Sequence, residues 1–336
     1  MKWAKRGALG LAVVLGVIVL SGLIWERRSR STAMRAFPPP GQIVDVEGGP
    51  LHLNCTGQGQ PTVVLEAGAS QPSIAWSTVQ IAVADFTRVC SYDRAGIGWS
   101  ADADGDTDPE GVARRLRAAL TAADVSPPFV MVGQSIGGPL AMIFGDLYPG
   151  DVAGYVFVDS ADPDRYDMAP VHPPAALQSK AQALAGAVSS VSAEIGFTRW
   201  QMRNARQPAH WPDDVFAVAV AFTPQSTPAG RREQAAAPAI VERAAEVESF
   251  GSAPVVVLTA ESSLRNAGAP MEAEEWARLR LEMQGAIAAR SSNSAHRIVE
   301  RVGHNIHLDD PAETARAIRD VVTSARTGDA VSQDER

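Results

Sequence analysis

Cysteine is scarce in this chain: Cys55 and Cys90 are the only two among 336 residues. Neither belongs to a C-x-x-C pair and no His-x-x-x-His pair occurs, so the spacing offers no structural or catalytic metal site. An excess of basic residues is also missing. Thirty Lys and Arg stand against 38 Asp and Glu, a formal net charge of −8, which gives nucleic acid no electrostatic footprint. Gly96-Ile97-Gly98 has no third glycine at the spacing a dinucleotide loop needs, so nucleotide cofactors drop out. There is no internal repeat. Long apolar runs are absent beyond the first 25 residues.

The exception at the start is clear. Lys2, Lys5 and Arg6 precede an uncharged apolar run from Gly7 to Trp25, followed by Glu26-Arg27-Arg28-Ser29-Arg30. That run is long enough to span a bilayer and long for a signal-peptide core. Ser31-Thr32-Ala33 offers a small-x-small site, but a cluster of arginines before it is poor cleavage context. Residues 1–36 therefore read as a membrane anchor with a basic flank, and a cleaved signal is the rival. Basic residues flank both ends, so the positive-inside rule hardly decides orientation. The expectation is a tethered domain outside the cytoplasm, or a secreted one if the segment is cleaved.

Past the anchor, residues 37–41 with Pro38-Pro39-Pro40 read as a stiff linker. Gln42–Val46 and Leu51–Cys55 flank Glu47-Gly48-Gly49-Pro50 as a hairpin. Apolar runs at 62–66, 87–92, 129–132, 154–158, 254–258 and 296–300 alternate with helical patterns, ending in a helix over 312–324. A hairpin followed by strand–helix alternation predicts an α/β fold, a mostly parallel sheet with helices on both faces. One stretch breaks the rhythm. Residues 165–251 carry Ala-rich helical patterns broken by Pro173-Pro174, Pro208 and Pro212, with no buried-strand run. They read as a helical cap inserted between core strands at 42–164 and 252–325. The alternative, an extended disordered excursion, fits Arg231 to Glu248 better than the rest. Residues 326–336 read as a disordered tail.

The chemistry concentrates at Gly133-Gln134-Ser135-Ile136-Gly137, between an apolar strand and a helical pattern. A G-x-S-x-G at a strand-to-helix turn is a nucleophile elbow. The serine backbone is strained so that its hydroxyl stands clear of the sheet, and the flanking positions must be small. The following helix points its N-terminus at the site, where N–H groups can stabilise an oxyanion.

Four segments in order make the chain resemble the α/β-hydrolase family over roughly residues 42–325. They are Leu65-Glu66-Ala67-Gly68, Tyr92-Asp93-Arg94-Ala95-Gly96-Ile97-Gly98, the elbow, and Gly303-His304-Asn305-Ile306-His307-Leu308-Asp309-Asp310-Pro311. The resemblance implies that Ser135 is the nucleophile and that His304, directly after its glycine, is the base. His307 is the competitor and reads as a residue that caps or packs the helix start. His52, His172, His210 and His296 read as surface or structural, with His172 and His210 able to touch substrate from the cap. The triad acid departs from the commonest pattern, because Thr259-Ala260-Glu261-Ser262-Ser263 carries serine where an Asp is expected. Some family members carry the acid at the end of the preceding strand, here Asp159, and Glu261 is the reserve.

By the same resemblance, the backbone N–H groups of Ile136 and Ala69 form the oxyanion hole, and Asp93 and Arg94 pin the loop beside the elbow. The family's second and fourth strands are neighbours, so Cys55 and Cys90 could bond, as would suit an oxidising compartment; two buried thiols are the alternative. The expected reaction is hydrolysis of a carboxylic ester through an acyl-enzyme, with no cofactor and no metal. Amidase, aminopeptidase or haloperoxidase-like chemistry, or a non-catalytic binding role, are the alternatives. The expected partner is a small apolar ester or acyl compound, since the cap offers Phe197, Trp200, Trp211 and Phe216. Those side chains would look the same if they merely packed the cap.

Overall fold

A computed structural model describes residues 2–103, 108–163, 175–208, 211–265 and 272–333; His172 and His210 lie outside them. Its centre is an eight-stranded sheet. The strands are β1 (Gln42–Val44), β2 (Leu51–Thr56), β3 (Thr62–Glu66), β4 (Val89–Tyr92), β5 (Phe129–Gln134), β6 (Val152–Val158), β7 (Val255–Ala260) and β8 (Ser294–Val299). Their spatial order is β1-β2-β4-β3-β5-β6-β7-β8. β1–β2 and β2–β4 are antiparallel, and every other pair is parallel. Parallel strands are covered on both faces and so need continuous apolar runs. Accordingly, all residues of β3, β5 and β7 are buried.

Helices cover the two faces: α2 (Ser77–Ala84), α3 (Pro109–Ala122), α4 (Gly137–Leu147), α9 (Ala273–Ala289) and α11 (Pro311–Thr327), with short α8 (Glu261–Leu264) and α10 (Ile306–Asp309) near the strand ends. Their ends follow local chemistry. Asp108 accepts a hydrogen bond from Gly111 N (2.8 Å) ahead of Pro109. Asp310 accepts one from Glu313 N (3.0 Å) ahead of Pro311, and Gly328 (φ 78°) ends that helix. Side-chain caps and a proline in the first turn satisfy or remove otherwise unpaired N–H groups.

Between β6 and β7 the cap comprises α5 (Ala175–Glu194), α6 (Phe197–Met202) and α7 (Asp213–Ala245). The stretch from Arg231 that suited a disordered reading is instead the second half of α7, which passes Pro224, Pro228 and Pro238 without ending. Val215, Val218, Phe222, Ile240, Val241 and Ala244 are buried along it, and this packing outweighs the roughly 3 kcal/mol a proline costs in a helix interior.

Residues 37–41, read as a stiff linker, run along the domain: Trp99 Nε1 donates to Phe37 O (2.8 Å), and the buried His52 binds Pro40 O. The expectation of a disordered tail is corrected for residues 326–333, which are ordered. Val331 is 3% exposed, its N–H donates to Asn293 Oδ1 (2.8 Å), and Arg297 donates to Ser332 O (2.7 Å). One buried valine and three hydrogen bonds, the last from Gln333 Nε2 to Ser294 O, outweigh the polar composition.

The N-terminal segment is a single helix, α1 (Lys2–Ala36). It is the one helix among the described residues long and apolar enough to cross a membrane. Residues 9–21 are exposed, whereas Glu26 and Ala33 are buried against the cap and core. Cys55 and Cys90, directly paired across β2 and β4, form a disulfide.

Candidate active site

The turn from β5 to α4 is shaped by what cannot fit there. A Cβ on Gly133 would lie 2.4 Å from Gly137 O, and one on Gly137 would lie 2.5 Å from Glu66 O. Only glycine allows so close an approach of backbones. Between them Ser135 takes φ 54°, a left-handed conformation that costs a non-glycine residue about 1–3 kcal/mol. Its backbone is fastened on both sides: Ser135 N donates to Val158 O (3.2 Å), while Ser135 O accepts from Gly138 N (3.1 Å) and Ala161 N (3.0 Å).

The loop after β3 lies against this turn. A Cβ on Gly68 would come within 2.1 Å of Gln134 Oε1 and 3.4 Å of Ser135 Cβ. Arg94 holds the loop, donating to Ala67 O and Gly68 O at 2.8 Å each. The same guanidinium binds Glu66 from the core and Glu233 from α7, the latter at 2.6 and 3.1 Å. Glu233 also accepts from Ser70 N at 2.8 Å. Burial pushes the Glu66 carboxyl above its ordinary value despite Arg94 and the Tyr92 hydroxyl beside it. For Arg94, burial acts to lower the pKa, but Glu233 and Glu66 outweigh it and hold the guanidinium charged. Neither Ile136 N nor Ala69 N has a backbone acceptor among the described residues.

Asp93 binds the backbone beneath this loop, accepting from Ser73 N (2.6 Å), Trp99 N (3.0 Å) and His52 Nδ1 (2.9 Å). His296 reaches Thr259 Oγ1 at 2.8 Å. Both histidines thus have partners within the sheet and its loops.

At the end of β6, Asp159 has φ 42° and is 1% exposed. His304 Nδ1 lies 2.6 Å from its Oδ2. Three more donors converge on this carboxylate: Ser263 Oγ (2.5 Å), Ala260 N (3.2 Å) and Arg280 Nη2 (3.2 Å). Burial alone would raise the Asp159 pKa, but the His304 bond, the Arg280 charge and Ser263 together hold it below the ordinary value. The carboxylate is therefore ionised at neutral pH. Glu261 sits elsewhere, accepting from Arg301 N (2.8 Å) and pairing with Arg265. The Arg301 N–H, with Arg265, holds its pKa below the usual range.

The His304 ring is half-exposed, and its loop is tied to the elbow by Gln134 Nε2 donating to His304 O (3.2 Å). Gly303 N donates to Asp309 Oδ2 (2.7 Å), closing the turn on which His304 stands. No hydrogen bond joins Ser135 Oγ to His304 among the described residues; such bonds commonly tighten only with substrate bound. His307 is fully buried against Trp76, ring centroids 4.3 Å apart. Among the described residues neither of its ring nitrogens has a partner, and burial with the neighbouring His304 lowers its pKa to about 3.

Ser263, Arg280, Glu233 and Gln134 were not singled out from the sequence. Ser263 carried a signal, since it occupies the place expected of an acid and a hydroxyl there can donate to a carboxylate on the next strand. Arg280 carried none, because on α9 it is four residues from buried Trp276 and Met283 lies three further on, the pattern of a long side chain flanking an apolar stripe.

Beside the elbow, a cleft is lined by Ile136, Leu140, Val112, Ala229 and Ile240, with Arg94, Arg232 and Glu233 at its polar edge. Of the cap aromatics, Trp211 packs toward Val215 and Leu308, whereas Phe197 and Trp200 are 45% and 55% exposed.

Residues 63–317 match the family described as "Alpha/beta hydrolase family". The chain is 24% identical over 160 residues to YbdG of Bacillus subtilis (strain 168), covering 47% of this chain and 49% of YbdG. It spans about half or less of the length of the curated relatives it matches. Among solved structures, a thermophilic esterase from Thermogutta terrifontis superimposes with TM-score 0.60 at 20% identity, covering 85% of this chain and 99% of that one. The epoxide hydrolase CorEH superimposes with TM-score 0.62 at 18% identity, covering 82% and 96%. At these identities the likeness is one of fold.

Proposed function

This chain belongs to the alpha/beta hydrolase family, and from that premise we propose that it is a serine hydrolase of carboxylic esters or related acyl compounds. The observation that carries the reading is the 2.6 Å contact of His304 Nδ1 with buried, ionised Asp159, on a loop bonded to the elbow of Ser135. A serine hydroxyl is a weak nucleophile until a base takes its proton. His304 can do so at Nε2 when Asp159 keeps the other nitrogen protonated and stabilises the imidazolium. Ser135 Oγ then attacks the carbonyl carbon, and the oxyanion is held by the N–H groups of Ile136 and Ala69. Collapse expels the alcohol with the proton from His304. Water, deprotonated by the same imidazole, attacks the acyl-enzyme, and the carboxylic acid leaves with Ser135 restored.

The cleft beside Ile136 has apolar walls and a charged edge formed by Arg94, Arg232 and Glu233, which supports a short acyl group over a long apolar one. Esters of p-nitrophenol with graded acyl chains test this, with activity expected to fall as the chain lengthens. The reading itself is tested by a fluorophosphonate probe. The protein should be labelled covalently, and Ser135→Ala should lose both labelling and ester hydrolysis while keeping its circular dichroism. Labelling retained in that variant would overturn the assignment of the nucleophile.

We further propose that α1 is retained as an anchor, since its exposed apolar half suits a bilayer while its other half packs on the cap. The Cys55–Cys90 disulfide supports a catalytic domain on the oxidising, extracytoplasmic side.

A further inference from the structure

We propose that the cap rests on the bilayer that holds α1, inserting the exposed aromatic face of α6 at the headgroup level. The inference builds on the anchor reading above and concerns a surface that reading does not use.

The first observation is that α1 does not hand over to a flexible tether. It continues without a break from the exposed residues 9–21 into contacts with the cap. A Cβ on Gly22 would lie 2.4 Å from Ile195 O, and one on Gly196 would lie 2.6 Å from the Trp25 ring. Four residues further, buried Glu26 binds Arg199 through both oxygens, at 2.7 and 2.9 Å, and Arg199 also donates to Ala221 O on α7 at 3.0 Å. Arg30 pairs with Glu26 and with Glu194 at the end of α5. A helix fixed at three successive turns sets the height of the cap above the membrane.

The second observation is what the cap carries at that height. α6 begins at Phe197, directly after the Gly196 that touches Trp25, the last residue of the apolar run. Phe197 and Trp200 are exposed and stack on each other, centroids 5.6 Å apart. Val188 and Val191 on α5 are 57% and 59% exposed. Cations accompany them: Arg27 and Arg28 are exposed one turn beyond the span, and Arg203 stands 5.3 Å over the Trp25 ring. Aromatic rings at the interface with arginines at phosphate level are what an interfacial helix needs. Exposed aromatics of this kind are costly in water and are removed from it by lipid.

The test uses the full chain in phospholipid nanodiscs, with some lipids carrying a spin label near the headgroup and others carrying one along the acyl chain. Because the disulfide leaves no free thiol among the described residues, single cysteines can carry a fluorophore. Three positions are compared: Val14→Cys in the span, Trp200→Cys on α6, and Ser126→Cys, an exposed residue before β5 at the end of the sheet away from the cap. Lipid-borne spin should quench the first two several-fold and leave the third unchanged, and Phe197→Cys should repeat the Trp200 result. Quenching at Val14 with none at positions 197 and 200 would overturn this inference and leave the anchor standing. No quenching at Val14 would overturn both.

Discussion

At the scale of single residues, the Asp159 carboxylate is held from the neighbouring strand end. Ser263 donates to it. If Asp159 orients His304, Asp159→Asn leaves the shape intact but favours the wrong imidazole tautomer, and turnover should fall about 10⁴-fold. Glu261→Gln should change turnover little, since that side chain is engaged with Arg301 and Arg265. Rates on one p-nitrophenyl ester compare the two. His307 gives a pH signature separate from catalysis. Its folded pKa is about 3, below the ordinary 6.5, so the unfolded chain binds a proton that the folded one refuses. Stability must then decline as pH falls from 6.5 toward 3, by up to about 1.4 kcal/mol per pH unit from this residue alone. His307→Phe keeps a ring against Trp76 and should flatten that part of the profile, measured as urea midpoints at pH 7 and pH 5.

At the scale of elements, α7 serves two sides at once. Its Glu233 binds Arg94, which in turn holds Ala67 O and Gly68 O, and binds Ser70 N directly. Gly230 lets the helix approach so closely that a Cβ there would lie 2.2 Å from Ser70 Oγ. The cap helix and the loop bearing Ala69 are thereby one packed unit. Glu233→Gln keeps the volume and removes the charge opposite Arg94. It should cost about 1.5–3 kcal/mol in urea unfolding, the range for a charged hydrogen bond. Fluorophosphonate labelling should also slow as the loop loosens. Stability lost with labelling rate unchanged would mean that Glu233 only seats the cap.

At the scale of the whole molecule, α1 and the domain are joined by packing as well as by chain. Removing residues 2–21 takes away the exposed half of α1 and leaves Glu26 on Arg199 and Ala33 beside Trp99 and Phe222. Removing residues 2–37 takes those partners too and leaves Arg199 without its buried carboxylate. Both forms should leave the membrane fraction. The longer deletion should in addition be less stable, by about 3–5 kcal/mol for the broken buried pair, seen as a lower melting temperature. Equal melting temperatures would mean that the lower half of α1 contributes nothing to the fold.

The strands themselves, the elbow, the histidine loop and the apolar span were legible in the sequence, because each rests on a local cause. Runs such as Val63-Val64-Leu65 are continuous where a strand is covered on both faces. Glycines stand at 133 and 137 where two backbones nearly touch. What no local pattern could decide was which side chains converge from distant positions. Asp159 and His304 are 145 residues apart. Arg280 comes from a helix whose periodicity speaks only of packing, and Glu233 comes from a stretch whose composition also suits disorder. The course of residues 37–41 and 326–333 belongs to the same class. Their composition is that of linkers and tails, and they are ordered only because Trp99, His52, Asn293 and Arg297 offer partners in the folded molecule. Periodicity and steric need act between neighbours in the chain and are written there. Convergence on one carboxylate depends on strand order and helix placement, and only the tertiary structure determines those.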